Sequence, residues 1–113
     1  MNIVILRGTL SSEPALRTLP SGSTLLSCEV TTRSPDGPAR SVPVAWFDPP
    51  AASLLAVGTE VVVTGEVRRR FFRAGGATAS RTEVVATTVL PVRQAKRVGR
   101  AIAAALADAD TSP

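Results

Sequence analysis

Arg68, Arg70 and Phe72 stand at alternate positions in the run Gly65-Glu66-Val67-Arg68-Arg69-Arg70-Phe71-Phe72-Arg73. Guanidinium groups neutralise phosphates, and a flat ring offers a stacking platform to any base. On an extended strand, alternate side chains share one face, about 6 to 7 Å apart. That matches the spacing of phosphates and bases along an extended single strand of nucleic acid. The same pattern also fits a solvated edge strand whose arginines oppose aggregation. The element that must hold these groups begins at Glu60-Val61-Val62-Val63-Thr64, a β-branched run that reads as a strand. If it continues, Glu66, Arg68, Arg70 and Phe72 share one face, and Val61, Val63 and Val67 share the other, which reads as core.

The wider composition removes other chemistries. The 113 residues suit one domain, and a hydrophobic fraction of 44% suits a folded one. There is no histidine and no tyrosine, so the usual imidazole base and imidazole ligand are missing. A lone cysteine cannot make a zinc site or an internal disulfide. No carboxylate pair has a catalytic spacing, and the glycines match no phosphate-binding loop. An enzyme is not expected, nor a cofactor, a metal or a small-molecule substrate. No apolar run is long enough to span a bilayer, and the N-terminus does not read as a signal peptide, so a cytoplasmic protein without a membrane partner is expected.

The net charge of +4 with a pI near 11.0 favours a polyanionic partner. Of thirteen cations only Lys96 is a lysine. Arginine is the better phosphate fork, although the abundance of alanine, proline and valine also fits the codon usage of a GC-rich genome.

Strands are expected over Asn2 to Leu10, with Gly8 a bulge or close-packing point, and over Thr24 to Arg33 and Arg40 to Phe47. In the second, Leu26, Cys28 and Val30 face one way, which makes Cys28 a small buried hydrophobe. In the third, Val42, Val44 and Trp46 oppose Pro43, Ala45 and Phe47. A short helix is expected over Ala51 to Val57, between Pro50 and Gly58. The arginine-bearing fourth strand then turns at Ala74-Gly75-Gly76-Ala77 into a fifth, Arg81 to Leu90. Five strands with a helix between the third and fourth give the order of an OB-fold, a mainly all-β, five-stranded Greek-key barrel. A second helix is expected from Arg93, with Val98, Ile102 and Leu106 as an apolar stripe. Its cations sit in its N-terminal half, opposite to the preference of the helix dipole. The chain thus divides into residues 1–92, a barrel, and 93–113, a basic amphipathic helix and short tail.

From Asn2 to about Leu90 the chain resembles the bacterial single-stranded DNA-binding protein family. The likeness rests on Asn2-Ile3-Val4-Ile5-Leu6-Arg7-Gly8-Thr9-Leu10, Glu13-Pro14-Ala15-Leu16-Arg17, Val44-Ala45-Trp46, Gly58 to Arg68 and Thr82-Glu83-Val84-Val85-Ala86, in order and at family-like spacing. The resemblance implies sequence-independent binding of single-stranded DNA in replication, recombination or repair, by a homo-oligomer, dimer or tetramer. It puts Phe72 on the fourth strand's stacking position, with Arg68 and Arg70 beside it. It puts Trp46 on the stacking position of the third strand, with Phe47 the alternative one residue on. Trp46 equally extends the apolar stripe of Val42 and Val44. Phe71, opposite Phe72, reads as core or subunit contact. Arg73, Arg7 and Arg17 complete the candidate DNA contacts, and Asn2, Val4 and Leu6 are the candidate subunit contacts.

The departures define a second reading. Ser34 to Ser41 carries none of the rings the family usually has there, and Ala107 to Pro113 lacks the family's acidic, aromatic-tipped terminus. A protein-interaction module that pairs with another family member or a primosome-like assembly, and binds DNA weakly or not at all, is the alternative.

Overall fold

The computed structural model describes residues 1–50 and 55–111, with side chains through Ala107. The elements are β1 (Val4–Leu10), β2 (Ala15–Thr18), β3 (Thr24–Thr32), β4 (Arg40–Phe47), β5 (Glu60–Ala74), β6 (Ala77–Pro91) and α1 (Ala95–Thr111). Neighbouring strands run β1-β5-β6-β4-β3-β2, and β1 also pairs with β3. Five strands therefore close into the OB-fold barrel, and β2 lies against the remaining margin of β3. Among the described residues only β4 and β6 pair in parallel, which brings the C-terminal ends of both to the same end of the barrel.

The period-2 alternation fills the interior. Leu26, Cys28 and Val30 of β3 meet Val44 and Trp46 of β4, Val61 and Val63 of β5, and Val84, Ala86 and Val89 of β6. Cys28 is the small buried hydrophobe expected, and burial, aided by the charge of Glu29, pushes its thiol up to about 11. A Cβ on Gly8 would collide with the Thr31 carbonyl oxygen, so the expected close packing is present where β1 meets β3. At Gly65 the strands slip: Thr64 faces Thr88 but Gly65 faces Ala86, leaving Thr87 unmatched. A Cβ there would strike the Val85 carbonyl, so glycine alone admits this bulge.

Four expectations change. A sixth strand, β2, forms over residues read as loop; all four of its residues are exposed, so no hydrophobic alternation marked it. β5 and β6 run to the very tip of the hairpin, where Gly75 and Gly76 take φ of 57° and 81°, the positive values of a tight two-residue turn. Val67 is 43% exposed rather than core, and Phe71 is 67% exposed, which leaves its subunit-contact reading. Pairing of β5 with β1 ends at Gly65, and the part of the hairpin outside Glu83 pairs only with itself among the described residues. The helix expected over 51–57 falls largely outside the described residues; Leu55 and Ala56 are not helical, and Val57-Gly58 is a turn.

The chain reverses after β6 through hydrogen bonds from Val92 N to Glu60 O and from Gln94 N to Pro91 O. α1 then packs back over β5 and β6. Val62, Thr64 and Leu90 alternate outward from the barrel, yet they are 6%, 2% and 8% exposed. The helix lies over Thr64, where Ala101, Ala104 and Ala105 share a cavity with Thr64 and Thr88, and its start lies by Leu90, which shares a cleft with Gln94 and Arg97. Of the apolar stripe, Val98 and Ile102 are half-buried, while Leu106 remains exposed. Among the described residues no helix is long and apolar enough to cross a membrane.

Candidate nucleic-acid interface

The outward faces of β3, β4, β6 and β5 form one groove. Leu25, Ser27 and Glu29 of β3 line it with Pro43 and Ala45 of β4, Arg81 and Glu83 of β6, and Arg70 of β5. Directly opposed residues of an antiparallel pair point the same way. Arg17, Leu25 and Phe47 therefore make one row across β2, β3 and β4. Arg70 stands opposite Arg81, Arg68 opposite Glu83 and Phe72 opposite Ala79. The groove thus has an exposed ring toward each end, Phe47 at 41% and Phe72 at 42%, and a charged middle.

That middle is a chain of ion pairs. Arg70 Nη2 lies 3.2 Å from Oε1 of Glu83, whose side chain is only 6% exposed. Arg81 Nη2 donates to Glu29 Oε1 at 3.1 Å, and Ser41 Oγ donates to Glu29 Oε2 at 3.0 Å. Arg68 Nε donates to Glu66 Oε1 at 2.7 Å. Two like charges set directly opposite would repel; here each guanidinium has its own carboxylate, so Arg70 and Arg81 can lie side by side. Among the described residues Arg17, Arg69 and Arg73 have no ion pair.

Several expected site residues lie elsewhere. Trp46 is 6% exposed within the core cluster. Its ring turns inward with Val44, so its place as a platform is corrected; Phe47, one residue on, has the outward ring. Arg73 alternates with Phe72 and sits on the far face of the hairpin. Arg7 stands on β1, away from the groove, in a bidentate pair with Glu60 at 3.1 and 3.3 Å. The candidate subunit contacts are also redirected. Val4 and Leu6 pack against the core, and the Asn2 side chain bonds both the N–H and the carbonyl of Val67. Ile5, 42% exposed, is the outward apolar residue of β1.

Arg81, Glu83 and Glu29 were not singled out from sequence. The signal was present in the two-residue turn at Gly75-Gly76: counting back from it sets Arg70 opposite Arg81 and Arg68 opposite Glu83. Among the described residues no cluster of side chains could hold a metal ion.

No curated protein sequence matches the chain. In fold it is similar to the solved structure of the Plasmodium falciparum SSB in complex with ssDNA, with a TM-score of 0.68 at 16% identity, over 80% of this chain and 94% of that one. The model of the single-strand binding protein family matches residues 1–92, the whole barrel, and the chain belongs to that family.

Proposed function

We propose that the chain binds single-stranded DNA, without sequence preference, along the groove between Phe47 and Phe72. The reading extends to a non-catalytic role in replication, recombination or repair, with residues 1–92 as the binding unit. The observation that carries it is the placement of two half-exposed rings on one continuous face, with Arg70 and Arg81 between them. The rings supply stacking at about 1 to 3 kcal/mol per base. The guanidinium groups exchange a carboxylate for a phosphate as the strand enters.

Family membership and the likeness to an SSB–ssDNA complex support this reading. A protein-interaction role finds support in one feature: Arg70 and Arg81 already have carboxylates, which lowers their pull on phosphate.

Titration of labelled oligo-dT by fluorescence polarisation, with duplex and RNA competitors, tests the proposal. Replacing both Phe47 and Phe72 by alanine should weaken binding at least about tenfold, while Trp46→Phe should leave it nearly unchanged. An unaltered affinity in the double variant would remove the stacking face. No binding by the unaltered chain at low salt would favour the protein partner.

A further inference from the structure

Lys96, Arg97 and Arg100 lie on one side of α1, and Arg93 stands in the turn just before it. Val98, Ala101, Ile102 and Ala105 follow the spacing i, i+3, i+4, i+7 about 140° around the axis and are the half-buried ones. The cationic stripe is therefore separate from the face that docks on β5 and β6. It also differs from the groove in its electrostatics. Arg70 and Arg81 in the middle of the groove have carboxylate partners, whereas none of the four cations has an ion pair among the described residues. Arg97 Nη1 donates to the neutral Gln94 Oε1 at 2.6 Å.

The position of the stripe gives it a use. Because β4 and β6 are parallel, the end of β4 that presents Phe47 points to the same end of the barrel as the turn from which α1 starts. Arg93 and Arg97 line a cleft with Trp46, the residue next to Phe47, and with Pro50 and Leu55. Cations in the first turns oppose the helix dipole, so helix stability does not account for their place.

We propose that the stripe continues the nucleic-acid track. A single strand leaving the groove past Phe47 runs onto α1, with its phosphates against Arg93, Lys96, Arg97 and Arg100. This rests on the reading of the groove as the base-stacking site. From Lys96 to Arg100 the stripe rises about 6 Å along α1, and Arg93 extends it into the preceding turn, a reach of about two phosphates of an extended strand. It recognises backbone charge and no base.

The test uses the full chain with all four cations replaced by glutamine (Arg93→Gln, Lys96→Gln, Arg97→Gln, Arg100→Gln). A second variant keeps the charge (Arg93→Lys, Arg97→Lys, Arg100→Lys). Affinity for oligo-dT of about eight and about thirty-five nucleotides is measured across a salt series. For the longer strand, the glutamine variant should bind about tenfold more weakly at about 50 mM salt, with a log–log salt slope shallower by about 1.4. The short strand, which fills the groove alone, should change less than about twofold. The lysine variant should match the unaltered chain, and the melting temperature of the glutamine variant should not fall, since the removed charges oppose the dipole.

An unchanged slope on the long strand would overturn the proposal and leave the stripe to an acidic protein surface. Equal loss on both lengths would overturn it as well, by making the stripe part of the groove. If the unaltered chain binds neither strand, the groove reading itself fails, which is a different result from either.

Discussion

Arg70 and Glu83 serve stability and binding in opposite directions. Glu83 is almost wholly buried, and Arg70 is the cation beside it. Truncating Arg70 to alanine leaves a buried carboxylate without its partner, which costs about 1 to 3 kcal/mol. Because the Arg70 side chain is itself 45% exposed, water screens part of this and the lower half of the range is expected. The opposite change, Glu83→Gln, frees Arg70 for phosphate. It should tighten DNA binding and steepen the salt slope by about 0.7, whereas Arg70→Ala should weaken both the fold and the binding. Thermal melts and salt titrations of the two single variants and the double variant separate these effects. A Glu83→Gln variant that binds more weakly would mean that the carboxylate touches the strand itself. At this scale much of the site was legible: the alternation of Arg68, Arg70 and Phe72 survives in the structure. The same alternation groups Trp46 with Val42 and Val44, and the core has it there. Strand parity, not the family likeness, locates the Trp46 ring.

The elements that carry the groove were legible where hydrophobic alternation or turn chemistry wrote them into the chain. β3 and β4 show clean alternation, and Gly75-Gly76 marks the hairpin tip and sets its register. β2 has neither signal, because a short strand exposed on both faces needs no apolar residue. The bulge at Gly65 and Thr87 was hidden too: it arises where two long strands must bend as the barrel closes, a requirement of the whole sheet. α1 was legible as amphipathic, but its partner was not, since nothing local says that Val62 and Leu90 face outward beneath it. Removing residues 93–113 should expose Val62, Thr64 and Leu90 to water. The expected loss is about 2 kcal/mol, or of order 10 °C in Tm for a domain of this size. Circular-dichroism melts of the truncated and full chains measure it. Equal Tm values would mean that α1 rests on the barrel without stabilising it, and that Val62 and Leu90 are sheltered by other contacts.

For the molecule as a whole, the β1 edge is the feature the closed barrel leaves open. β3 pairs with β1 only at Thr9 and Leu10. Among the described residues no strand bonds residues 4–7 on the side away from β5, and Ile5 stands exposed beside that edge. Unpaired backbone next to an apolar side chain invites another strand. A second copy would satisfy this by two-fold symmetry, with each β1 antiparallel to the other. Such a dimer would join two groove-and-helix tracks and raise the effective concentration of the second once the first has bound a long strand. Light scattering should therefore give a mass near twice the 11.7 kDa of the chain. Ile5→Asp should return it to one copy, because like charges would then face each other across the two-fold axis. Since Ile5 points away from the core, the barrel should keep its melting behaviour apart from the loss of concentration dependence. The variant should also lose affinity for a strand long enough to cross two barrels, and keep it for one that fills a single groove. A monomeric mass for the unaltered chain at micromolar concentration would close the edge hypothesis, and the weak binding of one groove would then rest on the stripe of α1 alone for reinforcement.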